Sequence, residues 1–153
     1  MARNFVIYAD GGSRGNPGPA AYGAVLLEDK KVLAELAQPI GIASNNVAEY
    51  SGLVAGLRAA NDLDKGAQIE VRMDSKLVVE QMSGNWQIKH PDMRNLAREA
   101  REAHSPNLVT YKWVPREENS HADRLANKAL DGASSATLVR KNYQTDRLLS
   151  KEK

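Results

Sequence analysis

Four carboxylates in this chain, Asp10, Glu49, Asp74 and Asp123, each stand where a run of regular structure gives way to a loop or begins from a cap. Alone, each has an ordinary explanation. Asp10 opens a glycine-rich turn, Glu49 complements a helix amino terminus, Asp74 precedes a cap, and Asp123 follows Ser120 at capping-box spacing. Taken together they suggest a different chemistry. Adjacent carboxylates repel, and one of them keeps its proton unless a cation comes between. A set of hard oxygen donors suits Mg²⁺ or Mn²⁺, ions that retain waters and bind substrate phosphates. Two such ions about 4 Å apart activate a water and stabilise the leaving oxygen of a phosphodiester displacement.

The elements that must position these acids are legible from periodicity. Phe5-Val6-Ile7-Tyr8 alternates as a buried strand and delivers Asp10 to its carboxyl end. The glycines and prolines of residues 11–19 predict irregular backbone after it. Ala20 to Glu28 and Lys31 to Ile40 read as two more strands around an Asp29-Lys30 turn, giving an antiparallel meander. A helix starts at Ser44-Asn45-Asn46, with Asn46 and Glu49 as its capping pair, and runs to about Leu63 before Lys65-Gly66. Its small residues, Ser51, Gly52, Ala55, Gly56 and Ala59, predict close packing on the sheet. Ile69 to Asp74 is a fourth strand, Ser75 caps a short helix to Met82, and a longer helix follows Pro91. Val109 to Trp113 is a fifth strand, and a last helix runs from Ser120 to Gly132. The helical crossover before strand four makes it a parallel neighbour of strand one. Asp10 and Asp74 are then expected side by side at carboxyl ends, the usual crevice for ligands in such sheets. The fold expected is α/β: a five-stranded mixed sheet, three antiparallel strands then two parallel, flanked by helices.

Composition narrows the partners. The chain has 153 residues, no cysteine and a net charge of +2. Disulfides and thiolate metal sites are excluded, and a reducing compartment is permitted. Much of the positive charge falls late, in Arg140, Lys141, Arg147, Lys151 and Lys153, so the rest is close to neutral. Any site for a polyanion must therefore be local. Residues 1–132 are expected to form one domain, and 133–153 a flexible basic tail or linker stub. With no apolar run of signal-peptide or membrane-span length, a cytoplasmic monomer is expected.

The motifs Asp10-Gly-Gly-Ser-Arg-Gly-Asn-Pro-Gly-Pro, Asn45-Asn46-Val47-Ala48-Glu49, Met73-Asp74-Ser75 and Asn119-Ser-His-Ala-Asp123-Arg-Leu-Ala resemble the type 1 ribonuclease H family in order and in placement on elements. The resemblance covers residues 3–131. It implies a ribonuclease H-like fold and endonucleolytic cleavage of the RNA strand of RNA/DNA hybrids, leaving 3′-hydroxyl and 5′-phosphate ends. It assigns Asp10, Glu49, Asp74 and Asp123 to catalysis and to the metal cluster, with Mg²⁺ as the expected ion and Mn²⁺ as substitute. It also implies substrate contacts by Ser13, Asn16, Ser44, Asn45, Asn46 and Lys76. Side-chain amides suit that work, because a 2′-hydroxyl both donates and accepts. Two alternatives stand beside this reading: the same fold acting on double-stranded RNA, or a catalytically weak hybrid-binding module.

The chain departs from the family pattern twice. Many relatives carry a basic, Trp-bearing protrusion, of which only Trp86, Lys89 and His90 have counterparts here, and weaker hybrid binding is expected. Many also carry a histidine in the loop before the last acid, and Val114 to Ser120 contains none. His121 is nearby, but residues two apart on a helix are turned by about 200°. His121 is therefore expected to point away from Asp123, leaving any loop role to Glu118 or Asn119.

Overall fold

The computed structural model describes residues 2–132, so the expected tail at 133–153 lies outside the described residues. A single sheet has the strand order β3-β2-β1-β4-β5. Its members are β1 (Asn4–Ser13), β2 (Gly18–Glu28), β3 (Lys31–Ala43), β4 (Gln68–Met73) and β5 (Val109–Trp113). β1, β2 and β3 pair antiparallel, while β4 pairs parallel with both β1 and β5. The expected mixed sheet is the one observed. Asp29 and Lys30 both take positive φ in the β2–β3 turn, the backbone twist that suits a two-residue hairpin.

Two layers of helix cover the sheet. Phe5, Ile7 and Ala9 of β1, with Ala24, Leu26, Ala34 and Leu36, pack under α1 (Asn45–Leu63) and α3 (Pro91–Ala103). The small face of α1 does what its composition predicted. A Cβ at Gly56 would press on the Ile7 side chain, and one at Gly52 on the Asp10 carbonyl. On the opposite face Ala21 and Ala37 meet Ala129, Leu125 and Leu130 of α4 (Ser120–Asp131). The short α2 (Lys76–Met82) lies between β4 and α3 in the chain.

The structure corrects several local expectations. β1 does not end at Asp10. It stays paired with β2 through Ser13↔Ala20, Gly11 and Gly12 lying opposite Tyr22 and Ala21 in the ladder that the glycines were expected to break. β3 likewise runs on to Ala43. Ser44, not Asn46, caps α1, its hydroxyl accepting from the Val47 N–H. The helix ends at Leu63 with Asp64 as its cap, just before Lys65-Gly66. The Ser120/Asp123 capping box does not form: Ser120 is already helical and Asn119 holds the cap position. Ser75 caps α2 as expected, accepting from Val78.

Candidate active site

The parallel ladder between β1 and β4 closes at Tyr8↔Arg72, and Arg72 donates to the Tyr8 hydroxyl over 2.6 Å. Asp10 and Asp74 each lie two residues further along, on the same face of the sheet by strand alternation. On its other side Asp10 is opposite Gly23 of β2. Asp10 thus sits inside the antiparallel ladder but beyond the end of the parallel one.

Two glycines bring the other acids to it. A Cβ on Gly11 would collide with the main chain of Ala48 and Glu49, so its absence seats the first turn of α1, and Glu49 with it, against β1. A Cβ on Gly23 would collide with the Ala122 carbonyl and the Ala126 amide. Its absence docks α4 on β2 and carries Asp123 to Asp10.

The electrostatics follow from this crowding. Burial, the neighbouring Asp74 charge and contact with Asp123 push the Asp10 carboxyl up to about 8, while the Gly11 N–H pulls the other way. Burial pushes Glu49 up to about 7, aided by Asp74 and opposed by the Ser75 hydroxyl. A cavity of about 610 Å³ is lined by all four acids, with Ser13, Asn45, Asn46 and Lys76. Among the described residues no three acids or imidazoles are drawn together tightly enough to hold an ion as they stand. The donor set nevertheless fits a hard divalent cation. It is oxygen-only, and two of its members are held towards the protonated form by burial and by neighbouring carboxylates, a cost that a cation relieves.

Residues 8–129 match a family described as reverse transcriptase-like. Over 134 residues the chain is 56% identical to the bifunctional protein Rv2228c of Mycobacterium tuberculosis, covering 86% of this chain and 36% of that one. The solved N-terminal RNase H domain of Rv2228c superposes with a TM-score of 0.81, covering 87% of this chain and 97% of that one. The chain belongs to the type 1 ribonuclease H family. A ribonuclease HI of Halobacterium salinarum is 48% identical over 130 residues, which cover 82% of this chain and 64% of that relative. LC11-RNase H1, solved in complex with an RNA/DNA hybrid, is 37% identical with a TM-score of 0.79, covering 86% of this chain and 99% of that one. The chain thus spans little more than a third of the length of its mycobacterial relatives.

Within this ribonuclease H fold the other sequence candidates fall into two groups. Ser13, Asn16 and Asn45 are knitted together. Asn45 Oδ1 accepts from the Ser13 N–H at 2.8 Å and from its hydroxyl at 3.1 Å, and the Asn45 N–H donates to Asn16 Oδ1 at 3.1 Å. Asn46 lines the cavity beside them; Asn16 and Ser44 stand outside its lining. On the other flank Lys76 pairs with Glu80 at 3.5 Å and hangs 5.6 Å over the Trp113 ring. Trp113 is 44% exposed, and its indole N–H donates to the Asp74 carbonyl at 3.2 Å. Arg14 forms an exposed ion pair with Asp131 at 2.7 Å.

His121 points away from the acids, as helical geometry required. Its Nε2 meets Glu35 Oε2 of β3 at 2.6 Å, and the two line a separate cavity. Of the two residues expected to inherit the loop role, Glu118 is exposed whereas Asn119 is buried against Asp74. Arg116 and Asn127 also line the acidic cavity. Nothing in the sequence pattern singled them out, since an Arg in a loop and an Asn on a polar helix face are ordinary.

Proposed function

We propose that this chain is a divalent-metal-dependent endoribonuclease that hydrolyses the RNA strand of RNA/DNA hybrids, leaving 3′-hydroxyl and 5′-phosphate ends. The observation that carries the reading is the convergence of four acids from β1, α1, the β4 end and α4 on one cavity. The complex of LC11-RNase H1 with a hybrid supports the substrate class. Asp10, Glu49, Asp74 and Asp123 would hold the ions, Mg²⁺ first and Mn²⁺ as substitute. When bound, they would supply an activated water and neutralise charge on the scissile phosphate and its leaving oxygen.

The chain's own groups do the rest. The linked amides of Asn16 and Asn45, with Ser13 and Asn46, offer donors and acceptors for 2′-hydroxyls across a minor groove, recognising RNA without reading sequence. Ser44 sits at the start of the same helix, where an N-terminal dipole favours a phosphate of the DNA strand. Lys76 supplies a cation on the opposite flank of the acids. The protein works in this reading as a monomer, and its cysteine-free sequence suits the reducing cytoplasm.

Incubation with labelled RNA/DNA hybrid, double-stranded RNA, single-stranded RNA and duplex DNA tests the reading, with Mg²⁺, Mn²⁺ or chelator. Cleavage confined to the hybrid and abolished by chelator is expected. Cleavage of double-stranded RNA at a comparable rate would shift the substrate class, and binding without cleavage would make the chain a hybrid-binding module.

A further inference from the structure

Asn119 occupies the N-cap position of α4, where an Asn side chain ordinarily accepts from the first helical N–H groups. It makes no such bond. Its side chain turns inward, 1% exposed, and its single amide nitrogen donates twice: to the Ala9 carbonyl of β1 at 2.9 Å and to Asp74 Oδ1 at 2.8 Å. Both partners are acceptors only, so the amide cannot be turned the other way. Its own oxygen is buried without a hydrogen-bond partner. An unpaired buried acceptor and a forgone cap each cost stability. The helix gains nothing from either.

The gain lies at the fork in the sheet. β1 and β4 last pair at Tyr8↔Arg72, so no ladder bond fixes the separation of the two strands at the level of Asp10 and Asp74. The Asn119 amide spans that gap, with one N–H on the residue before Asp10 and one on the Asp74 carboxylate. We infer that Asn119 is a positioning residue, which sets the rotamer of Asp74 and its height relative to Asp10 before any ion or substrate arrives. This rests on the reading of Asp74 as an ion-binding carboxylate.

Asn119→Ser tests it, because Ser is a good helix cap but too short to reach both acceptors. Asn119→Leu is the second variant, since it keeps the shape while losing both donors and adds no charge beside Asp74. Mn²⁺ affinity is read by calorimetry, kcat and KM on a hybrid by steady-state kinetics, and metal-free Tm by melting. The expected result is an Mn²⁺ affinity and a kcat each at least tenfold lower, KM within twofold, and for Asn119→Ser a metal-free Tm equal to or above that of the native chain. A merely structural residue would lower Tm and leave ion affinity alone. Ion affinity and kcat within twofold of native in both variants would overturn the inference. A native chain that binds Mn²⁺ but cleaves no hybrid would sink the proposed activity, and the role of Asn119 then stands or falls on ion affinity. A native chain that takes up no ion would overturn both.

Discussion

Asp10 and Gly23 face one another across β1 and β2, and the side chain missing from Gly23 is the reason Asp123 reaches Asp10. The backbone of α4 occupies the space a Cβ would take. Two acids thus depend on two glycines: Gly11 admits Glu49, Gly23 admits Asp123, and Asp10 stands between. Gly23→Ala should lower stability by about 1–3 kcal/mol, the usual range for overpacking, as read by urea denaturation. It should also weaken Mn²⁺ binding by moving α4. An alanine variant with native ion affinity would mean that α4 has slack at this contact.

Asp10→Asn and Asp74→Asn should each reduce hybrid cleavage to below a few per cent while leaving the circular dichroism spectrum unchanged. Without metal, both variants should melt above the native chain, because each relieves a like-charge contact. Substantial residual turnover in either would remove that residue from the ion-binding set.

The raised carboxyls make metal-free stability depend on pH in a defined direction. Asp10, near 8, and Glu49, near 7, hold protons in the folded chain that the unfolded chain has released above about 4. The folded state binds more protons across that window, so stability falls as pH rises from about 4 to about 8 and then levels off. Melting in chelator should show this decline, Asp10→Asn should flatten its upper part, and saturating Mg²⁺ should offset it. A metal-free Tm that rises over the same window would contradict the crowding of these acids.

His121→Ala should keep kcat within roughly tenfold of native, under about 1.4 kcal/mol, with no ionisation lost from the pH–rate profile. Its partner is Glu35, 2.6 Å away on β3, and the pair is partly exposed. Its loss should cost no more than about 1 kcal/mol of stability. A hundredfold fall in turnover with loss of an ionisation near neutrality would make His121 catalytic.

Lys76→Ala should raise KM for a hybrid several-fold with little change in kcat, since Lys76 flanks the acids without touching them through any observed bond. The near-neutral body predicts a shallow dependence of binding on salt, and this variant should make it shallower by about one unit of slope. An unchanged KM and slope would leave Lys76 a solvated helix residue.

Much of this architecture was readable from residues. The alternation of Phe5, Ile7 and Ala9 marks the core face of β1, and the small stripe on α1 announces its closeness to the sheet. The crossover rule was enough to set Asp10 beside Asp74. Legibility stopped where local and tertiary preferences compete. The glycine-rich run after Asp10 favours turns locally, yet pairing with Ala20 to Tyr22 keeps it extended. Ser120 and Asp123 have capping-box spacing, yet the 3-10 turn Arg116–Asn119 starts the helix one residue earlier. Asn119 was legible as a loop candidate beside Glu118, but its bonds were not. An Asn at a helix start reads as a cap, and only the fold shows its amide committed to β1 and to Asp74 just past β4.

The docking of α4 on Gly23 has a kinetic consequence. Asp10 lies near the start of the chain and Asp123 more than a hundred residues later, so their meeting closes the longest loop in the site and belongs late in folding. A chain emerging amino end first can build the β1–β2–β3 meander and dock α1 while still lacking its fourth acid. Until α4 seats itself, the carboxylates already gathered are incomplete as a set, and the growing protein holds an acidic cavity that lacks one wall.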